Sequence, residues 1–181
     1  MTDKISIKER IRRSGPPTKP VTVYLGVDVG LIDEYEALQE RLDKVVEEGG
    51  PGDSLEGSPE RDRLTERMQE IRAQLDECAL TFRLRALDGD EWQRLVDEHP
   101  PRRKTGTEEA DPRDAQAVWN TSTFPRALLR AATVEPQLDD EDWRLLLGDE
   151  STRSKLTEPQ ITDAANAVAR LSRFSISLPF S

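Results

Sequence analysis

At 181 residues the chain fits one ordinary domain or two small ones, and any core must be modest. Its 26 basic and 36 acidic residues leave a formal charge of −10, which repels a phosphate backbone and confines any nucleic-acid binding to a local patch. A single cysteine, Cys78, and a single histidine, His99, exclude disulfide frameworks, Cys/His zinc sites and multi-histidine centres, and no apolar run approaches the roughly 18 residues of a membrane span.

In chain order, residues 1–19 form a basic arm in which Lys4, Lys8, Arg10, Arg12, Arg13 and Lys19 outweigh Asp3 and Glu9. A flexible solvated terminus is the expectation, with an RNA- or DNA-binding arm as the alternative. Gly15-Pro16-Pro17 breaks structure, and "VTVYLGV" then alternates Val21, Val23 and Leu25 against Thr22 and Tyr24, the period of a strand with one buried face. Leu31, Tyr35, Leu38, Leu42 and Val45 follow at spacings of 4, 3, 4 and 3, which places them on one helical stripe. The Gly/Pro-rich connector "EEGGPGDSLEGSPE" ends that helix. Ser58 and Pro59 supply the N-cap and first position of the next, where Leu64, Met68, Ile71, Leu75 and Cys78 repeat the same spacing.

"TFRLRAL" is a second strand, with Phe82, Leu84 and Ala86 on one face. Asp88 with Glu91 matches a capping box, opening a helix whose apolar side is Trp92, Leu95, Val96 and His99. Beyond the linker "PPRRKTGTEEADP", Asp111-Pro112 is expected to open a helix carrying Val118 and Trp119. Thr123 opens one carrying Phe124, Leu128 and Leu129, and Asp139 one carrying Trp143, Leu146 and Leu147 and stopped at Gly148. Thr157 opens the last, with Ile161, Ala164, Ala165, Val168 and Leu171 inward. "RFSISLPFS" alternates at the end without a visible partner strand.

These elements predict a mainly α protein with a small β element (α+β). A two-stranded antiparallel sheet carries an antiparallel helical hairpin, 31–48 and 59–78, followed by a bundle of short helices. The expected organisation is a basic arm at 1–19, the strand–hairpin–strand body at 20–87, short helices at 88–173 with a linker near 100–112, and a tail at 174–181.

No residue set points to catalysis. "YLGVDVG" resembles the first phosphate loop of sugar-kinase and Hsp70-type ATPases. However, Gly30 leads into a heptad helix rather than a strand, and no second phosphate loop, Walker A or G-x-G-x-x-G pattern follows. Asp28 and Gly30 therefore read as a strand-to-helix turn. The carboxylates of "LDDEDW", Asp139, Asp140, Glu141 and Asp142, suit the positive end of a helix dipole better than a divalent cation. His99 sits at a helix end, Cys78 on a heptad stripe, and Trp92, Trp119 and Trp143 fall one per expected helix as core anchors. No cofactor or metal is expected.

Taken in order, "TFRLRALDGDEWQRLVDEHPPR", "WNTSTFPRALLRAATVEPQLDDEDWRLLL", "LTEPQ" and "SLPFS", preceded by the charged hairpin, resemble the tail assembly chaperones of long-tailed (siphovirus-type) phages and prophages of actinobacteria. The resemblance spans residues 20–181. It implies a non-enzymatic protein of the bacterial host cytoplasm that binds the tape-measure protein and keeps it soluble until tail-tube subunits polymerise around it. Such a protein is not retained in the virion. The major tail-tube protein and a longer, frameshifted form of the chain are further partners the resemblance implies; the hairpin could also serve self-association. Phe124, Leu128, Leu129 and Trp143 are the candidate partner-binding residues, as an apolar groove for an amphipathic guest helix. The alternatives are a structural virion protein of the tail tube or head-to-tail connector, a nucleic-acid-binding regulator working through the basic arm, and an ATPase using Asp28.

Overall fold

The computed structural model describes residues 6–48 and 59–173. The expected N-cap Ser58, most of the Gly/Pro-rich connector and the alternating stretch at 174–181 lie outside the described residues, as does Lys4. The fold is α+β: among the described residues seven helices accompany one three-stranded sheet. The chain divides into two compact units, Thr22–Leu80 and the combination of Met1–Val21 with Thr81–Ser181.

In the discontinuous unit, α1 (Ile7–Arg13) is capped by Ser6, whose side chain accepts from the Glu9 amide, and it buries no residue. β1 (Thr18–Tyr24), β2 (Ala79–Arg85) and β3 (Thr133–Glu135) form a sheet in that order. β1 and β2 run through both units. In the discontinuous unit the Ala86 amide donates to the Pro17 carbonyl at 2.8 Å; in Thr22–Leu80 the Leu25 amide donates to the Cys78 carbonyl at 2.8 Å. As one strand advances its partner retreats, an antiparallel ladder.

The expected two-stranded sheet is thus corrected to three strands. β3 is antiparallel to β2 with an irregular register, Arg83 facing Glu135 and Leu84 facing Thr133. Three residues are too few to display a period of two, so no alternation announces this strand. An Arg83–Glu135 ion pair of 2.8 Å spans it at the surface.

α4 (Gly89–Glu98) begins with the expected capping box: Asp88 accepts from the Glu91 amide at 2.8 Å and Glu91 accepts from the Asp88 amide at 3.2 Å. α5 (Phe124–Ala132) packs on α4 and on α7 (Glu158–Arg173). α6 (Asp140–Leu147) starts with a second capping box, Asp139 with Asp142, and stops at Gly148, whose φ is 74°. The core draws on every layer: Phe82 and Leu84 from β2, Phe124, Leu128 and Leu129 from α5, Ile161 and Val168 from α7 are all at most 2% exposed. Phe82 and Trp143 stack at 6.0 Å between ring centroids, and Trp92 and Trp119 gather around Phe124.

The helix expected from Asp111-Pro112 is absent; residues 112–116 are turns. Asp114 explains the difference. Its carboxylate is 1% exposed and accepts from the Arg102 amide and guanidinium at 2.7 to 2.8 Å and from the Thr121 amide and hydroxyl at 3.1 and 2.7 Å. A side chain that collects two separate segments in this way ties a loop rather than extending a helix.

In the other unit, α2 (Val29–Glu48) and α3 (Pro59–Glu77) pair. Asp28 caps α2 by accepting from the Gly30 amide at 2.9 Å, the strand-to-helix turn read from the sequence. Glu34 bonds to Arg67 at 2.7 Å and Arg41 to Glu60 at 2.5 Å, so progress along α2 matches retreat along α3.

Candidate partner-binding surfaces

The stripes of α2 and α3 are covered unequally. Leu64, Met68 and Ile71 of α3 are buried, down to 0% exposure at Ile71. Leu31, Tyr35, Leu38, Leu42 and Val45 of α2 are all half-buried, and none of the described side chains of α2 is buried. At about 100° per residue, Glu34 and Arg41, which bond to α3, flank one edge of the α2 stripe, and Ile32 and Val46 continue it past the opposite edge. Both are open to solvent, at 39% and 55%. The apolar face of α2 is therefore wider than α3 covers.

The electrostatics of this seam are acidic. α2 carries seven acidic and two basic residues, α3 six and four, a net of −7. Glu36 and Asp43 border the open edge, and both are exposed. On the closed edge Arg67 holds Glu34 in a two-pronged bond of 2.7 and 3.0 Å and also bonds Glu70 at 2.9 Å. The guanidinium hydrogen bonds hold the Glu34 carboxyl below the ordinary carboxylate range. That edge stays ionised and closed.

The residues that the sequence offers for partner binding are not on this seam. Phe124, Leu128 and Leu129 are 2%, 1% and 0% exposed, and Trp143 is 6% exposed. Their apolar surface is spent on α4, α7 and Phe82, and only Trp143 reaches the wall of a surface groove, of about 410 Å³, with His99, Arg126, Arg130 and Leu147. The arginines of that groove are engaged: Arg126 with Glu158 and with the Leu147 carbonyl, Arg130 with Asp140, and Arg144 with Glu141. A second groove, about 460 Å³, runs past Trp92, Val96, Val118 and Trp119, with the Arg173 guanidinium 5.4 Å from the Trp92 ring centre.

The chemistry-bearing residues occupy structural posts. His99 ends α4, and its Nδ1 lies 3.0 Å from the Thr123 hydroxyl. Cys78 is half-buried where α3 passes into β2. Asp140 faces Arg130, and Asp139 and Asp142 are spent on the α6 cap. Among the described residues no group of three or more His, Cys, Asp or Glu side chains could hold a metal ion, and no helix is long and apolar enough to cross a membrane.

The signal that sequence reading missed is Ile32 with Val46. Both sit one step off the heptad stripe, and a spacing of 14 residues returns to nearly the same side of a helix. In comparisons with protein families, curated proteins and solved structures, the chain matches none.

Proposed function

We propose that this chain is a tail assembly chaperone of long-tailed phages, which lends an apolar helix seam to the tape-measure protein and disperses it until tail-tube subunits polymerise around it. In this reading α2 and α3 are an antiparallel hairpin that receives the guest, and the short-helix bundle of the other unit is the stable body that carries it. One observation supports the reading above the rest: α2 offers an apolar face, extended by Ile32 and Val46, that its own hairpin partner leaves half-covered.

The physics of that face suits a transient carrier. An amphipathic helix laid along the open edge loses apolar surface to the seam at roughly 25 cal/mol per Å², enough to compete with aggregation of the guest. A single helix face is also a small interface, and small interfaces release readily. The charge of −7 on the hairpin selects guest segments with basic flanks and keeps loaded complexes apart in solution. Nothing in this mechanism needs a reactive group, a metal or a nucleotide.

The test is co-expression with a tape-measure protein of a long-tailed phage. The native chain is expected to move most of the guest into the soluble fraction. Ile32→Glu with Val46→Glu, both at exposed positions, is expected to abolish that effect with an unchanged circular dichroism spectrum. A guest equally soluble without the chain would end the proposal, and full activity of the double variant would remove the seam from it.

A further inference from the structure

α1 poses a physical problem that its own unit does not solve. It is seven residues long, and isolated helices shorter than about 12 residues are marginal in water. Ser6 caps it and Glu9 pairs with Arg13 at 2.6 Å, but it buries nothing, and Ile7 and Ile11, one turn apart on the same side, are 74% and 67% exposed. Lys8, Arg10, Arg12 and Arg13 surround the two isoleucines. A short basic helix with a bare apolar pair is stabilised when it is laid on an apolar strip with acidic borders.

The open edge of α2 has that character. Ile32 and Val46 are exposed beside the half-buried stripe, and Glu36 and Asp43 border them. We infer that, in the absence of a guest, α1 of one copy docks on the open edge of the α2–α3 seam of a second copy, with Ile7 and Ile11 on the apolar strip and the basic residues against Glu36 and Asp43. The interface joins two different surfaces, so it is head-to-tail, and a pair of copies keeps one unused α1 and one unused seam for further association. Charge complementarity selects this occupant: the helix is basic, whereas the hairpin, at −7, repels another hairpin. The inference rests on the seam being a helix-docking surface, as the proposed function does, and adds that the guest must displace α1.

Sedimentation velocity on the full chain across a hundredfold range of concentration tests it. At low salt the weight-average mass is expected to rise with concentration, and 0.5 M salt is expected to weaken the association by about tenfold, because the contacts are solvent-exposed charges. Ile7→Asp with Ile11→Asp, and separately Ile32→Glu with Val46→Glu, are each expected to leave the chain monomeric. An equimolar mixture of the two variants is expected to form dimers that do not grow further, since the first supplies an intact seam and the second an intact α1. Monomers under every condition, association that persists in the α1 variant, or a mixture that stays monomeric would each overturn the inference. Guest solubilisation reports separately: the α1 variant, with its seam intact, is expected to retain it. Loss of solubilisation by the native chain would refute the chaperone reading while leaving the sedimentation result standing.

Discussion

Two carboxylates illustrate how single residues set local structure. Glu91 is held by Arg85 through paired bonds of 2.7 Å, and it also accepts the Asp88 amide in the α4 capping box. The Arg85 hydrogen bonds lower its pKa from 4.5 to about 2. A carboxyl with a depressed folded-state pKa contributes stability that is complete above the unfolded value and is lost as pH falls through the folded one. The native chain should therefore lose this contribution between about pH 4.5 and 2. Glu91→Gln, which can still accept the Asp88 amide, should be less stable at pH 7 and should show a shallower fall of urea midpoint over that window. An equally steep fall would refute the assignment. Asp114 acts over a longer range of sequence. The Arg102 guanidinium, followed by hydrogen bonds from Thr121, keeps its carboxyl far below the ordinary carboxylate range, so the loop stays tied in mild acid. Asp114→Asn places amide hydrogens against the Arg102 donors. It should lower Tm by several degrees and speed tryptic cleavage after Arg102, Arg103 and Lys104. Unchanged cleavage would mean that the turns at 112–116 hold the segment without this anchor.

At the scale of elements, most helices were legible because their apolar spacing and their caps agree. Asp88 with Glu91, Asp139 with Asp142 and Thr157 with Gln160 all mark true helix starts. What stayed illegible has physical causes. β3 is too short to show a period, α1 was hidden inside a run of charge, and residues 112–116 follow a buried hydrogen-bonding side chain rather than helix propensity. Periodicity also marks an apolar face without saying what covers it. Phe124, Leu128 and Leu129 are covered completely, whereas the α2 stripe with the same kind of signal is left half open. Gly148 shows how an element end can be tested. Its backbone, φ 74° and ψ 164°, lies in a region open essentially to glycine alone. A Cβ there would come within 2.7 Å of the Ser154 amide nitrogen and 2.9 Å of the Thr152 carbonyl. Gly148→Ala should destabilise its unit by about 3 kcal/mol or more, since strain and backbone clash add. Gly26 is also left-handed, with φ 63°, but a Cβ there meets nothing within 4 Å. Gly26→Ala should cost only about 1 kcal/mol, the steric penalty of that conformation. Equal costs in chemical denaturation would refute the contrast.

For the whole molecule, the decisive feature is that one compact unit is inserted into the other: Thr22–Leu80 interrupts Met1–Val21 and Thr81–Ser181. The insertion begins and ends within neighbouring antiparallel strands, and the outer part of that ladder, with Pro17 against Ala86, belongs to the discontinuous unit. Strands that close side by side can be joined by a short turn. The discontinuous unit also keeps its own core, from Phe82 through Phe124 and Leu129 to Val168, whereas the inserted unit buries only Val23, Leu64, Met68 and Ile71 among its described residues. Replacement of 22–80 by a short Asn-Gly turn should therefore leave a chain that unfolds cooperatively and retains the near-ultraviolet signal of Trp92, Trp119 and Trp143. Residues 22–80 expressed alone should be far less stable, because a pair of helices over a thin core falls below the size at which a single core sustains a fold. If the seam is the guest-binding surface, the shortened chain should fold and yet fail to keep the tape-measure protein soluble. If it solubilises the guest as well as the full chain, the helical hairpin is dispensable and the guest must be bound by the other unit. The groove beside Trp92, Val96 and Val118 would then be the next surface to alter, with Val118→Glu at a position 66% exposed.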